Sequence, residues 1–304
     1  MTTFGHWRKL FDFATPRELR DAGVLGMNRR NADFILPENP RALYPRVDDK
    51  VLTKQICAER HIPTPVVYGT FACHGDLRGF AQLVADKPEF VIKPAKGSGG
   101  RGIVVIAQHD HSTYIKSDDE HLSLADVLYH QSSILSGLYS LGGQPDRVIV
   151  EQRIICHAAF RSISYGGTPD VRIILHRFRP VMAMIRLPTA ASRGRANLHQ
   201  GAIAAGVDLK TGRTSGGVMR NQPVSIHPDT GHSIEGFEIP QWEPMLAAAV
   251  SLAEGTGLGY TGVDFVVDAS LGPVVLEANA RPGLAIQIAN RTGLLSALAA
   301  AADR

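Results

Sequence analysis

From Asp48 to Glu59 polar and apolar positions alternate at the spacing of an amphipathic helix, with Val51, Leu52 and Ile56 inward, and I-P-T-P stops it. Downstream the pattern shortens. Val66 to Phe71, Phe90 to Lys93, Ile103 to Ala107, Arg147 to Ile154, Val171 to Phe178 and Val181 to Leu187 are runs of β-branched and apolar residues bounded by turn formers, and they predict strands. Helices are expected at Pro16 to Ala22, Leu77 to Val84, Leu124 to Leu141 and Pro244 to Gly255. The stretches N-R-R-N (28–31) and N-P-R (39–41) read as irregular. Strands outnumber helices and meet through short turns, so the predicted class is α+β with mainly antiparallel sheets.

Composition narrows the function little. The 304 residues suffice for a sizeable core or two domains, and 44% apolar with 20% charged residues is ordinary globular usage. A net charge of +3 does not point to nucleic acid, and no apolar run spans a bilayer. Cys57, Cys73 and Cys156 are too few and too scattered for a disulfide framework or a zinc site, which fits a reducing cytoplasm.

Two stretches carry chemistry. K-P-A-K-G-S-G-G-R-G-I (93–103) follows the strand F-V-I and contains G-x-G-x-x-G at Gly97, Gly99 and Gly102. A dinucleotide fingerprint requires a helix to start there, yet I-V-V-I predicts a strand. A Walker A loop lacks its G-K-[ST], and a kinase lacks H-R-D and D-F-G. What remains is a flap between two strands, its glycines admitting phosphate oxygens to backbone N–H groups while Lys93 supplies a fixed charge. A tight hairpin turn would need only one or two of those glycines. The second stretch is G-V-D-F-V-V-D-A-S-L-G-P-V-V-L-E-A-N-A-R-P-G (262–283). With A-S-L-G as a four-residue turn, Asp264 falls opposite Glu277, and Glu277 and Asn279 share a face. Two carboxylates on an apolar hairpin call for a cation, and all-oxygen donors favour Mg²⁺ or Mn²⁺.

A flap and an acidic hairpin in this order resemble the ATP-grasp carboxylate–amine ligases, in particular the RimK-type α-L-glutamate ligase-like proteins, over about 48–283. The resemblance implies an ATP-grasp fold of two α+β subdomains clasping ATP: a reduced N-terminal segment (1–48), a lid subdomain (49–150) and a C-terminal subdomain (151–304). It implies that Lys50, Lys93, Lys96, Gly97, Ser98, Gly99 and Gly100 hold the phosphates, and that Glu151, Gln152, Arg153 and Ile154 form the adenine hinge. D-V-R matches the family's D-I-R at Asp170 and Arg172. R-A-N-L-H-Q-G-A places Arg195 and Asn197 by the reacting carboxylate. Asp264, Glu277 and Asn279 match the metal ligands. The implied reaction joins a small-molecule or peptide carboxylate to an amino-acid amine through an acylphosphate. A non-catalytic nucleotide sensor and a small-molecule kinase are the other readings. Three departures stand out. Fewer than 50 residues precede the Asp-Lys helix, leaving acceptor recognition to groups such as Arg29, Arg30, Arg41 and Arg46. Ala202 replaces a glycine. Arg281 stands where relatives carry a small residue, as a carboxylate contact or a surface charge. The A-L-A-A-A-A tail offers a surface for a homo-oligomer.

Overall fold

The computed structural model describes residues 14–302 other than Ser98 and His111. Two antiparallel sheets organise the chain. The first has six strands, β1 (Val67–Phe71), β2 (Phe90–Pro94), β3 (Val104–His109), β4 (Thr113–Lys116), β5 (His121–Ser123) and β6 (Val148–Glu151), in the order β1-β6-β2-β3-β4-β5. The second has seven, β7 (Asp170–His176), β8 (Arg179–Leu187), β9 (Ile203–Val207), β10 (Thr214–Met219), β11 (Gln222–Val224), β12 (Tyr260–Asp268) and β13 (Gly272–Asn279), in the order β11-β10-β9-β8-β7-β12-β13. The predicted α+β class with antiparallel sheets holds.

Alternation along the second sheet explains its layers. Val171, Ile173 and Leu175 of β7 point to one face, where Trp242, Met245, Ala249 and Leu252 of the helix Trp242–Thr256 cover them. Ile174 of β7, Met182 and Met184 of β8 and Tyr260 of β12 point to the other. Leu25, Ile35, Ile286, Leu294 and Leu298 cover that face. A buried aliphatic side chain of this size contributes roughly 1.5–3 kcal/mol. The cover extends along only part of the strands. Further along the same face, Asp170 and Arg172 follow Ile174, Arg186 follows Met184, and Asp264 follows Tyr260 and Gly262 at the strand period of two. One face therefore has an apolar half under the N-terminal segment and a charged half beyond it.

Several expectations change. Residues 27–38 are not irregular: Met27–Arg30 is α-helical, Asn31–Ile35 a π-turn, and Leu36–Glu38 helical again. Asn39 ends the segment and explains its position. Its side chain accepts from Tyr260 N (2.9 Å) and donates to the carbonyls of Tyr260 (2.7 Å) and Ala280 (2.9 Å), closing three backbone groups at once. The Asp48–Glu59 helix is split. Pro45–Asp48 forms one turn, and Asp49 then caps Lys50–Glu59 by accepting from Val51 N at 3.0 Å. Thr53 and Cys57 are its buried residues, whereas Val51, Leu52 and Ile56 are half-buried. The helix expected to reach Leu141 ends at Leu135, ahead of Gly137 at φ +85°. The alanine-rich tail is the helix Leu295–Ala302, and its Leu298 is buried inside the chain's own core. β4, β5, β9, β10 and β11 escaped the pattern reading because they are short or rich in Gly, Ala and polar residues. No helix of the described residues is long and apolar enough to cross a membrane.

Replacing Asn39 by Ala removes those three bonds and leaves buried backbone groups unpaired, so urea denaturation should show a loss of about 2–4 kcal/mol. A loss below about 1 kcal/mol would mean that the clasp is not what docks the N-terminal segment.

Candidate functional site

The charged half of the second sheet is built around Asp264, which is 2% exposed. It pairs across strands with Arg172 on one side and Glu277 on the other. The predicted Asp264–Glu277 pairing is present, although the turn differs from the one used to derive it. Asp268 pairs with Gly272, leaving a three-residue turn that alone would shift the register. A β-bulge at Leu276 shifts it back, and Glu277 and Asn279 return to Asp264's face.

Arg172 grips Asp264 with two bonds, Nε to Oδ1 at 2.7 Å and Nη2 to Oδ2 at 2.6 Å. Arg186 adds a third to Oδ2 at 3.2 Å and donates through Nε to Asp170. Burial, the largest influence, opposes ionisation of Asp264, but the two guanidiniums outweigh it and hold the carboxyl at about 2. Asp170 is somewhat more exposed, with Arg186 as its bonded cation and Asp264 nearby, and its burial, the largest influence, pushes it up. Arg186 was not foreseen. Its signal was available in the β7–β8 hairpin, which sets it opposite Asp170.

Glu277 and Asn279 lie at the rim, Asn279 Nδ2 donating to Glu277 Oε1 at 3.3 Å. Lys50 Nζ stands 4.0 Å from Glu277 Oε2 and donates to the carbonyl of Gly97 at 2.6 Å. One lysine thus joins the start of the glycine loop to the acidic hairpin, and burial lowers its pKa against the pull of Glu277. The loop is, as predicted, a connection between the antiparallel strands β2 and β3. Gly99, Gly100 and Gly102 adopt positive φ, and a side chain on Gly102 would strike the Tyr139 ring at 2.6 Å. His130 Nε2 bonds the Gly102 carbonyl at 3.0 Å, and Lys96 N donates to Asp146 at 3.0 and 3.1 Å. Ser98 lies outside the described residues.

Lys93 is 4% exposed and pairs with Glu151, itself 3% exposed. Lys54 Nζ is 3.0 Å from Glu151 Oε2, near enough for the charges to interact although off the line of a well-directed hydrogen bond. Burial works against this carboxylate, and Lys93 and Lys54 overcome it to keep it ionised below the usual range. Lys54, one helical turn beyond Lys50, was missed; the i, i+4 spacing was the signal. Beyond Glu151 the chain crosses between the sheets. Gln152 N bonds Val66 O at 2.8 Å, and Ile155 N bonds Asp268 Oδ2 at 2.9 Å. The backbone groups of Arg153 and Ile154 between them have no hydrogen-bond partner among the described residues, and the Arg153 side chain turns away to Glu89 at 2.9 Å. The structure does not join Arg195 and Asn197 to this cluster. Arg195 is exposed and donates to Gln200 at 3.4 Å, while Asn197 caps a turn by accepting from His199 N at 3.0 Å.

The donor set suits a hard divalent cation. A carboxylate has about four lone-pair sites. Arginine takes three at Asp264, leaving Glu277 and the amide oxygen of Asn279 as the accessible donors. A family model for sugar-transfer associated ATP-grasp proteins matches residues 29–302. The chain belongs to this ATP-grasp family. Two solved structures agree on the fold. The biotin carboxylase–ATP complex from Campylobacter jejuni aligns at a TM-score of 0.52 with 16% identity, over 84% of this chain and 46% of that one. The biotin carboxylase domain of 2-oxoglutarate carboxylase from Hydrogenobacter thermophilus aligns at 0.51 with 13% identity, over 84% and 45%. D-alanine–D-alanine ligase from Bacillus anthracis aligns at 0.47 with 15% identity, over 86% and 63%. The chain thus spans less than two thirds of each of these proteins. No curated protein matches it in sequence.

Substituting Asp264 by Asn strands Arg172 and Arg186 around a neutral group, and should cost about 3–5 kcal/mol in urea denaturation. The double variant Asp264→Asn/Arg172→Met should lose less than the two single losses added together, because it removes both members of one pair. Strict additivity would show that the pair is not coupled.

Proposed function

We propose that the chain is an ATP-dependent ligase that joins a carboxylate to an amine. The observation that carries this is Lys50, bonded to the glycine loop at Gly97 and poised at Glu277 of the acidic hairpin. A nucleotide lying under the loop would bring its terminal phosphate to the lysine and the carboxylate pair together. Lys93, Lys96 and the amides of Gly97, Gly99 and Gly100, with Ser98, would hold the phosphates. Glu151 would stay on Lys54, and the free backbone groups of Arg153 and Ile154, next to Gln152, would meet the base. Glu277 and Asn279, with the remaining lone pair of Asp264, would hold Mg²⁺, with Mn²⁺ as a substitute. Such a cation supplies charge neutralisation between phosphate oxygens.

A substrate carboxylate oxygen attacks the γ-phosphorus, the bond to the bridging oxygen breaks, and ADP leaves. The amine nitrogen then attacks the acyl carbon of the acylphosphate, phosphate departs with the C–O electron pair, and the amine proton passes to solvent or phosphate. The protein's share is positioning and charge. Arg172 and Arg186 fix Asp264 and Asp170 as a rigid floor. Arg195, on an exposed loop, would reach the acyl oxygen only when that loop turns inward over the substrate. The finer identity of a RimK-type glutamate ligase is one form of this reading. The family's description makes an acid met during sugar transfer the first alternative to test.

Phosphate release from Mg·ATP should appear only with a matching acid and amine, across a panel of amino acids, short peptides and sugar acids. Glu277→Gln and Lys93→Met should each lower it by about 10² or more, and Arg195→Ala by about 10² to 10³. Nucleotide binding without turnover on any pair would favour a sensor, and release that needs an acid but no amine would favour a kinase.

A further inference from the structure

The loop that leaves β13 and the helical turn Met27–Arg30 packed against it carry a second, separate set of cations. Arg30 is 7% exposed, and its guanidinium bonds only neutral oxygens: Nη1 to Pro282 O at 2.8 Å, and Nη2 and Nε to Asn31 Oδ1 at 2.9 and 3.2 Å. No carboxylate lies within ion-pair distance of it among the described residues, and one N–H on each terminal nitrogen is left over. A guanidinium this buried normally faces an acid. Arg281, on the loop after β13, is exposed and lays its guanidinium over the Tyr44 ring at 5.3 Å, with no ion pair among the described residues. The ring steadies the plane while leaving the N–H edge outward. Arg281 and Arg30 are near enough to repel, which adds to the burial that lowers Arg30.

Among the described residues, Asp48, Lys50, Glu277 and Arg172 are further charges near this edge. Asp48 is exposed and not within ion-pair distance of Arg281, though it feels both Arg281 and Lys50. The loop lies against the ligation floor. Pro282 packs over Gly262, where a side chain would strike it at 2.6 Å, and Gly283 faces Arg172 Nη1. Arg281 is four residues past Glu277 and two past Asn279.

We propose that Arg281 and Arg30 form an anion subsite for a second carboxylate or a phosphate of the substrate, whose reacting group lies at Glu277. This rests on the ligase reading and names its substrate class: an acid or amine that carries a further negative group. Arg281 offers the planar fork that binds such groups in two-pronged fashion. Arg30 supplies the buried charge behind it.

The test is calorimetric titration of the full chain, saturated with Mg·ADP, using succinate, glycerol phosphate and propionate as probes. The wild type should bind succinate or glycerol phosphate at least about tenfold more tightly than propionate, and the preferred probe names the anionic group. Arg281→Ala should lose about 10- to 100-fold of that affinity, as expected for a charge-assisted pair of hydrogen bonds. Arg281→Lys should fall between, because it keeps the charge without the fork. Mg·ADP affinity should be the same in all three proteins. Equal probe affinity in Arg281→Ala, or no preference over propionate in the wild type, overturns the subsite. A chain that binds no Mg·ADP yet shows the Arg281-dependent preference overturns the ligase reading and leaves the subsite standing.

Discussion

The second sheet depends on one buried carboxylate and the two guanidiniums that hold it. Asp264 sits where an ionised group is tolerated only if its lone pairs are nearly all taken, and Arg172 and Arg186 take three of them. That pairing crosses β8, β7 and β12 and reaches β13 through Glu277. It sets the register of four strands at their charged end. It also makes the floor stiff, because a bidentate arginine pair has little freedom to rotate. A site that acts by positioning benefits from such stiffness more than from any extra donor.

The division of one sheet face into apolar and charged halves follows from the same economy of space. The N-terminal segment docks over Ile174, Met182, Met184 and Tyr260, and Asn39 stitches it to the backbone of Tyr260 and Ala280. It stops short of Arg172 and Asp264. Fewer than 50 residues precede the Asp-Lys helix in the sequence, and their described part covers the apolar half and delivers Arg30 and Tyr44 to the border of the charged one. One stretch supplies both the apolar cover and the groups at its charged border.

Much of this was legible in the residues. I-V-V-I after the glycines required a strand, so the strand-to-strand loop followed from β-branching, and the antiparallel class from short turns between strands. The Asp264–Glu277 pairing was legible too, but only because two departures cancel: a three-residue turn in place of four, and a bulge at Leu276. Neither can be seen in V-V-L-E, where every residue suits a strand equally. Arg186 and Lys54 were hidden for another reason. Each is an ordinary cation in its own element and gains meaning only from a partner on another strand, Asp170 and Glu151 respectively. The helix at 27–38 was masked by Asn and Pro, residues of weak or negative helix preference that tertiary contacts at Ile35 and Asn39 override.

The pairing of Glu151 with both Lys93 and Lys54 bears on how a phosphate would be received. Lysines gathered without acids would repel one another and be pushed toward the neutral form by burial. Glu151 holds both lysines in place and opposes the burial that lowers Lys54. A phosphate taking Lys93 from Glu151 would then not leave a bare buried carboxylate, since Lys54 remains 3.0 Å from it. The cost of exchanging partners is reduced to the difference between two ion pairs, instead of the several kcal/mol of an unpaired buried charge. Lys50 has the same arrangement on the other side, with Glu277 as its acid and the Gly97 carbonyl as its anchor. Lys93 and Lys50 are each held by a carboxylate with a second partner, so a charged ligand that took either lysine would not strand an unpaired acid.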